Sequence, residues 1–139
     1  MSAVLAVDYG SVRIGLAINE GAGLPALPLA TISHTTRARD IEQILTIARE
    51  RGVGVIVLGY PIRMDGSSGP AAKKMDAFIS ALRAAFPGEV ALQDERFSTG
   101  AATQKLRELE ISGSKRRRYV DQLAAVEILQ SYLSLRRER

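Results

Sequence analysis

The run Val4-Leu5-Ala6-Val7 is apolar at every position and ends on Asp8, from which Tyr9-Gly10-Ser11 lead straight into a glycine turn. A strand without polar alternation is covered on both faces, so it belongs in the middle of a sheet lying between layers of helices. A carboxylate at the end of such a strand is poorly explained by folding. Burying an unpaired charge is expensive, and such a group is normally neutralised, paired or metal-bound. Two other acidic positions have similar settings. Asp94-Glu95 ends the run Val90-Ala91-Leu92, and Asp121 opens an apolar helix expected over residues 120–135.

The remaining elements follow from periodicity. Residues 14–18 and 27–32 read as two further strands, linked closely enough to be antiparallel neighbours. Ile41, Ile44, Leu45, Ile47 and Ala48 recur at helical spacing, and Gly52 is a plausible stop. Residues 53–58 form a second fully apolar, β-branched strand. Residues 59–70, rich in Gly, Pro and Ser, read as a loop. Met75, Phe78, Ile79, Leu82 and Phe86 mark a helix stripe that stops at Pro87-Gly88. Residues 90–94 form a fifth strand, and Ser98 can cap a helix to about residue 109. Residues 111–115 read as a polar break before the last helix. The expected fold is α/β: a mixed five-stranded sheet, three antiparallel strands followed by two parallel ones, with helices on both faces. At 139 residues the chain is read as one domain over 1–139.

Composition removes several classes of function. No apolar run reaches the roughly 18–20 residues that span a bilayer, so no membrane partner is expected. The N-terminus lacks a signal-peptide pattern, and with no cysteines in the chain a cytoplasmic location fits best. Without cysteine there is no thiolate metal site, and the only histidine, His34, rules out a His-rich zinc site. His34 lies in the polar stretch Ser33-His34-Thr35-Thr36 and reads as an exposed loop residue. The formal net charge is +4, unevenly spread. Lys115, Arg116, Arg117 and Arg118 form one cluster, and Arg136, Arg137 and Arg139 another. A basic face is the footprint of a nucleic-acid binder. The C-terminal group is adequately explained as solvated cations at a helix end, whereas the internal group stands just before Asp121.

In sheets with parallel crossovers, ligands bind beyond the carboxyl ends of the strands. Asp8 and Glu95 end strands there. Asp121 shares a helical stripe with Ala124, Ala125, Ile128 and Tyr132, whose small members permit close packing, so it is expected to face the sheet. A competing explanation is that Asp121 simply complements the dipole of a first helical turn, and that Asp94-Glu95 is a strand-ending pair beside Arg96. Three hard carboxylates without soft ligands suit Mg²⁺ or Mn²⁺. Two such ions, about 3.5–4 Å apart, could hold a scissile phosphate. Arg96 and the cluster at Lys115, Arg116, Arg117 and Arg118 could bind phosphates along the strand.

The sequence also carries four ordered motifs. Val7-Asp8-Tyr9-Gly10-Ser11-Val12-Arg13-Ile14-Gly15-Leu16-Ala17 resembles the opening motif of the YqgF/RuvX family. Gly59-Tyr60-Pro61, with Met64-Asp65-Gly66-Ser67 and Gly69-Pro70, resembles its second motif, with Tyr60 standing where Leu is usual. Asp94-Glu95-Arg96-Phe97-Ser98-Thr99 resembles the third. Val120-Asp121-Gln122-Leu123-Ala124-Ala125, continuing to Ile128-Leu129 and Tyr132-Leu133, resembles the fourth. The resemblance covers nearly the whole chain. It implies an RNase H-like fold related to the RuvC resolvases, and a metal-dependent nuclease leaving 5′-phosphate and 3′-hydroxyl ends. Its substrate would be pre-16S ribosomal RNA at the 5′ end, or a Holliday junction.

By that resemblance Asp8, Glu95 and Asp121 are the metal ligands, and Arg13, Arg96, Ser98 and Thr99 support them or contact substrate. Asp94 should turn to the face opposite Glu95, and Asp65 reads as a turn former beside Gly66. Three other readings compete. A sugar-kinase-like phosphotransferase shares the Asp-x-Gly turn but needs a second domain. A non-catalytic module would bind nucleic acid without cutting it. A resolvase proper needs two active sites and hence a homodimer.

Overall fold

The computed structural model describes residues 2–60, 70–94 and 114–137. Five strands form one sheet in the order β3-β2-β1-β4-β5. These are β1 (Ala3–Tyr9), β2 (Arg13–Asn19), β3 (Leu27–Ser33), β4 (Val53–Tyr60) and β5 (Glu89–Asp94). β1 pairs antiparallel with β2, and β2 with β3, while β1–β4 and β4–β5 are parallel. The mixed sheet expected from the hydrophobic pattern is therefore present. β1, with its apolar run, lies at its centre, and its middle residues are fully buried. Pro28 lacks an N–H and sits on the edge strand β3, beside an irregularity in its pairing with β2, where a missing ladder bond is tolerated.

Among the described residues three helices cover the sheet: α1 (Arg37–Glu50), α2 (Pro70–Ala85) and α3 (Ser114–Arg137). Thr36 caps α1, its hydroxyl accepting from the Arg39 N–H at 3.2 Å. Ile41, Ile44 and Ala48 of α1 pack with Met75, Phe78, Ile79 and Leu82 of α2 on one face, against Leu5, Val7, Ile14, Leu16, Ile56 and Leu58. α3 packs on the opposite face through Ala125, Ile128, Leu129 and Tyr132, against Val4, Ala6, Ala17 and Val57. Among the described residues, no helix is long and apolar enough to cross a membrane.

The last helix corrects the sequence reading. It starts at Ser114, within the stretch expected to be a polar break. Lys and Arg are good helix formers, but they carry no apolar stripe that periodicity could detect. Asp121 therefore lies about two turns inside α3, and complementing a first-turn dipole does not explain it. The helix expected between residues 98 and 109 and most of the 59–70 loop, with Asp65, lie outside the described residues. Tyr60, at the end of β4, donates its hydroxyl to Asp76 of α2 at 2.7 Å.

Candidate active site

Asp8 is the last but one residue of β1, and its cross-strand partner on β2 is Gly15, whose own partner on β3 is Thr31. Residues directly opposite in antiparallel strands share a face. Alternation from the buried Val4 and Ala6 puts this row on the α3 side of the sheet. Gly15 has a steric reason to be glycine. A Cβ there would stand 2.0 Å from the backbone carbonyl oxygen of Asp121. The missing side chain lets the α3 backbone settle on the sheet beside Asp8.

The next position in the row fixes the helix. The Thr31 hydroxyl donates to the Arg118 carbonyl at 2.5 Å, and the Arg118 guanidinium donates to the Thr31 carbonyl at 3.2 Å. The Gln122 side-chain amide donates to the Thr31 hydroxyl at 3.1 Å. Arg13, at the start of β2, donates from Nε to Asp121 Oδ2 at 2.5 Å. The Arg13 and Asp121 side chains keep only 31% and 15% of their surface in contact with solvent, so this pair is less screened than a surface ion pair. Gly10 closes the turn in front of them, its N–H donating to the Arg13 carbonyl at 3.1 Å.

Together these contacts build one cavity of about 490 Å³, with Asp8, Ser11, Arg13, Arg117 and Asp121 in its walls. Of the residues singled out from sequence, Asp8, Arg13, Arg117 and Asp121 thus meet at one place. Arg118 turns to β3. Lys115 and Arg116 lie in the first turn of α3. Glu95, Arg96, Ser98 and Thr99 lie outside the described residues. Asp94 ends β5, and alternation from Ala91 sets it on the face away from α3. Among the described residues, no three acidic or histidine side chains gather as a metal-binding group. Asp8 and Asp121 supply two hard carboxylates to the cavity.

His34 is not the exposed loop residue the sequence suggested. It is half-buried, and its Nδ1 bonds the carboxylate of Asp40. Asp40 is fully buried and accepts two further hydrogen bonds at 3.1 Å, from the Tyr9 hydroxyl and from the Thr35 N–H. Three donors make burial of this carboxylate tolerable. Sequence reasoning passed over Asp40, although a signal was there: it lies four and eight residues before Ile44 and Ala48, on the buried stripe of α1. Burial first, and then the hydrogen bond to Asp40, push the Tyr9 hydroxyl up to about 12. Its ring stacks on Phe78 at a centroid distance of 3.8 Å.

Comparison with known proteins matches this architecture to a family. The family model described as RuvX, Holliday junction resolvase, covers residues 2–135. Two relatives share the name "Putative pre-16S rRNA nuclease". That of Myxococcus xanthus is 40% identical, over 96% of this chain and 88% of the relative. That of Clostridioides difficile is 38% identical, over 96% and 94%. Among solved structures, T. thermophilus RuvC in complex with a Holliday junction substrate aligns with a TM-score of 0.59 at 14% identity, covering 97% of this chain and 96% of that one. The fowlpox virus Holliday junction resolvase aligns at 0.60 and 17% identity, covering 95% and 97%. At such identities the likeness is one of fold, the RNase H-like arrangement. The sequence match is far more specific, and on it the chain belongs to the RuvX family.

Proposed function

We propose that this chain is a metal-dependent nuclease that hydrolyses phosphodiester bonds in 5′-end processing of pre-16S ribosomal RNA, working in the cytoplasm as one nuclease domain over residues 1–139. One observation carries the reading: two carboxylates from distant elements, Asp8 of β1 and Asp121 of α3, line the same cavity as Arg13 and Arg117. The name shared by the relatives supports RNA as the substrate.

The donor set fits a hard divalent cation. Asp8 and Asp121 offer carboxylate oxygens at the wall of an open, water-accessible cavity, the chemistry that suits Mg²⁺ or Mn²⁺. Glu95, directly after the last residue of β5, is assigned as the third ligand. When bound, two such ions would neutralise the scissile phosphate, supply hydroxide at neutral pH and stabilise the leaving oxygen, giving 5′-phosphate and 3′-hydroxyl ends. The protein's own part is positioning. Arg13 holds the Asp121 carboxylate in one orientation. Arg117 presents a guanidinium to a phosphate oxygen in the same cavity. Arg96, Ser98, Thr99, Lys115, Arg116 and Arg118 are assigned to the substrate backbone.

The description of the family favours a second reading, a Holliday junction resolvase. That activity needs paired cuts and therefore a dimer. The deciding experiment is a nicking assay on a pre-16S 5′ leader and on a four-way junction, run side by side with a measured molecular mass. Cleavage of the leader that stops in EDTA and returns with Mn²⁺ or Mg²⁺ is the expected result. Paired junction cuts by a dimer would transfer the assignment to the resolvase. Binding of both substrates without cleavage of either would leave a non-catalytic module.

A further inference from the structure

The turn after β1 borders two cavities. The second, of about 760 Å³, opens on the side of α1 and α2, and it shares Asp8, Gly10 and Ser11 with the first. Its walls carry His34, Arg37, Lys73 and Lys74, and Asp8 is the only acidic residue lining it among those described. Arg37, Lys73 and Lys74 are all exposed, and none takes part in an ion pair among the described residues. Arg37 comes from α1 and the neighbouring pair Lys73 and Lys74 from α2, two elements far apart in sequence. Folding alone puts them around one opening. His34 is held at the wall by the buried Asp40.

Solvated lysines on helices are common, but three cations converging on a concave wall next to the candidate catalytic acid form a directed positive field. Cavities of about 300–1,000 Å³ take a ligand of a few ring systems, which corresponds to one or two nucleotides of a single strand and not to a duplex. The first cavity has its own cations, Arg13 and Arg117. Asp8 thus stands between two openings that each carry cations, one on each face of the sheet, the first holding Arg13 and Arg117 beside its acids.

We propose that the second cavity is a separate phosphate-binding subsite for the same polynucleotide. The strand crosses the end of β1 at Asp8. Arg37, Lys73 and Lys74 hold the backbone phosphates on one side of the bond to be cut, and Arg13 and Arg117 hold those on the other. This rests on the nuclease reading above and adds to it the path and the single-stranded character of the bound segment.

The test uses the full chain carrying Asp8→Asn, so that binding is read without turnover. A labelled single-stranded RNA spanning the pre-16S 5′ cleavage region is titrated over a salt series, with and without Arg37→Ala, Lys73→Ala and Lys74→Ala together. At about 0.7 of slope per single-strand phosphate contact, the triple variant should lose about 2 from the slope of log K against log salt. Lys73→Glu with Lys74→Glu should weaken binding further, and circular dichroism should show an unchanged fold for both. Photocrosslinking from a thiouridine placed on either side of the scissile phosphate should then lose one flank only in the triple variant. An unchanged slope, with the parent still binding, overturns the subsite and leaves the nuclease reading standing. Loss of crosslinks from both flanks equally overturns the crossing path. A parent that binds no RNA at all sinks both.

Discussion

The two faces of the sheet are packed on different principles. The face under α1 and α2 is filled with large side chains, with Leu5, Ile14, Leu16, Ile56, Leu58, Phe78 and Leu82 all fully buried. Under α3 the sheet itself offers smaller ones, Val4, Ala6, Ala17 and Val57, with Gly15 at the end nearest the cavity. Large side chains hold a helix at a distance and supply burial energy. Small ones let a helix backbone touch the sheet, at the expense of apolar area. The first face is the reservoir of stability, and the second trades area for the proximity that sets Asp121 beside Asp8. The row Asp8, Gly15, Thr31 across three strands summarises the trade: an acid, a gap and a clamp.

Substitutions can separate these two roles. The largest loss of stability is expected from Phe78→Ala on the first face. A buried Phe-to-Ala change costs about 3–5 kcal/mol, and here the stack with Tyr9 goes as well. Urea denaturation should report that loss, while cleavage per folded molecule stays near the parent value. Gly15→Ala should behave in the opposite way. Its Cβ meets a backbone oxygen that cannot rotate aside, so overpacking of at least about 1–3 kcal/mol is expected. Cleavage should fall out of proportion, because α3 must lift and take Asp121 with it. Full cleavage by a stable Gly15→Ala protein would refute the proximity argument.

Arg13→Lys sharpens the comparison on the α3 face alone. Lysine keeps the charge but loses the planar donor that fixes Asp121 Oδ2. Single-turnover cleavage should drop about 10–100-fold, the usual range for groups that orient a metal ligand, with little change in the unfolding midpoint. The smallest effect concerns Tyr9, on the other face. Its folded-state value of about 12 lies above the ordinary 10, so the native protein keeps a proton that the unfolded chain releases. The stabilisation is complete below pH 10 and disappears as the pH climbs towards 12. Tyr9→Phe should flatten this alkaline fall in stability, measured by urea melts at stepped pH. An equally steep fall in the variant would assign it to other groups.

The pattern of apolar residues was enough to read all five strands and both α1 and α2, because strand and helix periods survive wherever one face is buried. It failed at the start of α3, where a run of charged residues leaves no stripe, and at His34, where a polar stretch hid a contact with a residue from the next helix. Asp8 and Asp121 were legible as carboxylates misplaced for folding. Arg13 and Arg117 were legible as members of a motif and a charge cluster. Asp40 was legible only from its place on the stripe of Ile44 and Ala48, and Arg37, Lys73 and Lys74 were not legible at all, since each is unremarkable in its local sequence.

What the sequence determined by itself is local and periodic: a central apolar strand, an acid at its end, a glycine turn, and helices with one apolar side. Those follow from the spacing of side chains along a single segment. Only the tertiary structure decided that Gly15 lies opposite Asp8, that the Asp121 backbone fills the space above it, and that two openings carrying cations flank the turn after β1. Register and the approach of one element to another depend on the summed fit of many side chains from distant segments, and no single stretch of the chain contains that sum.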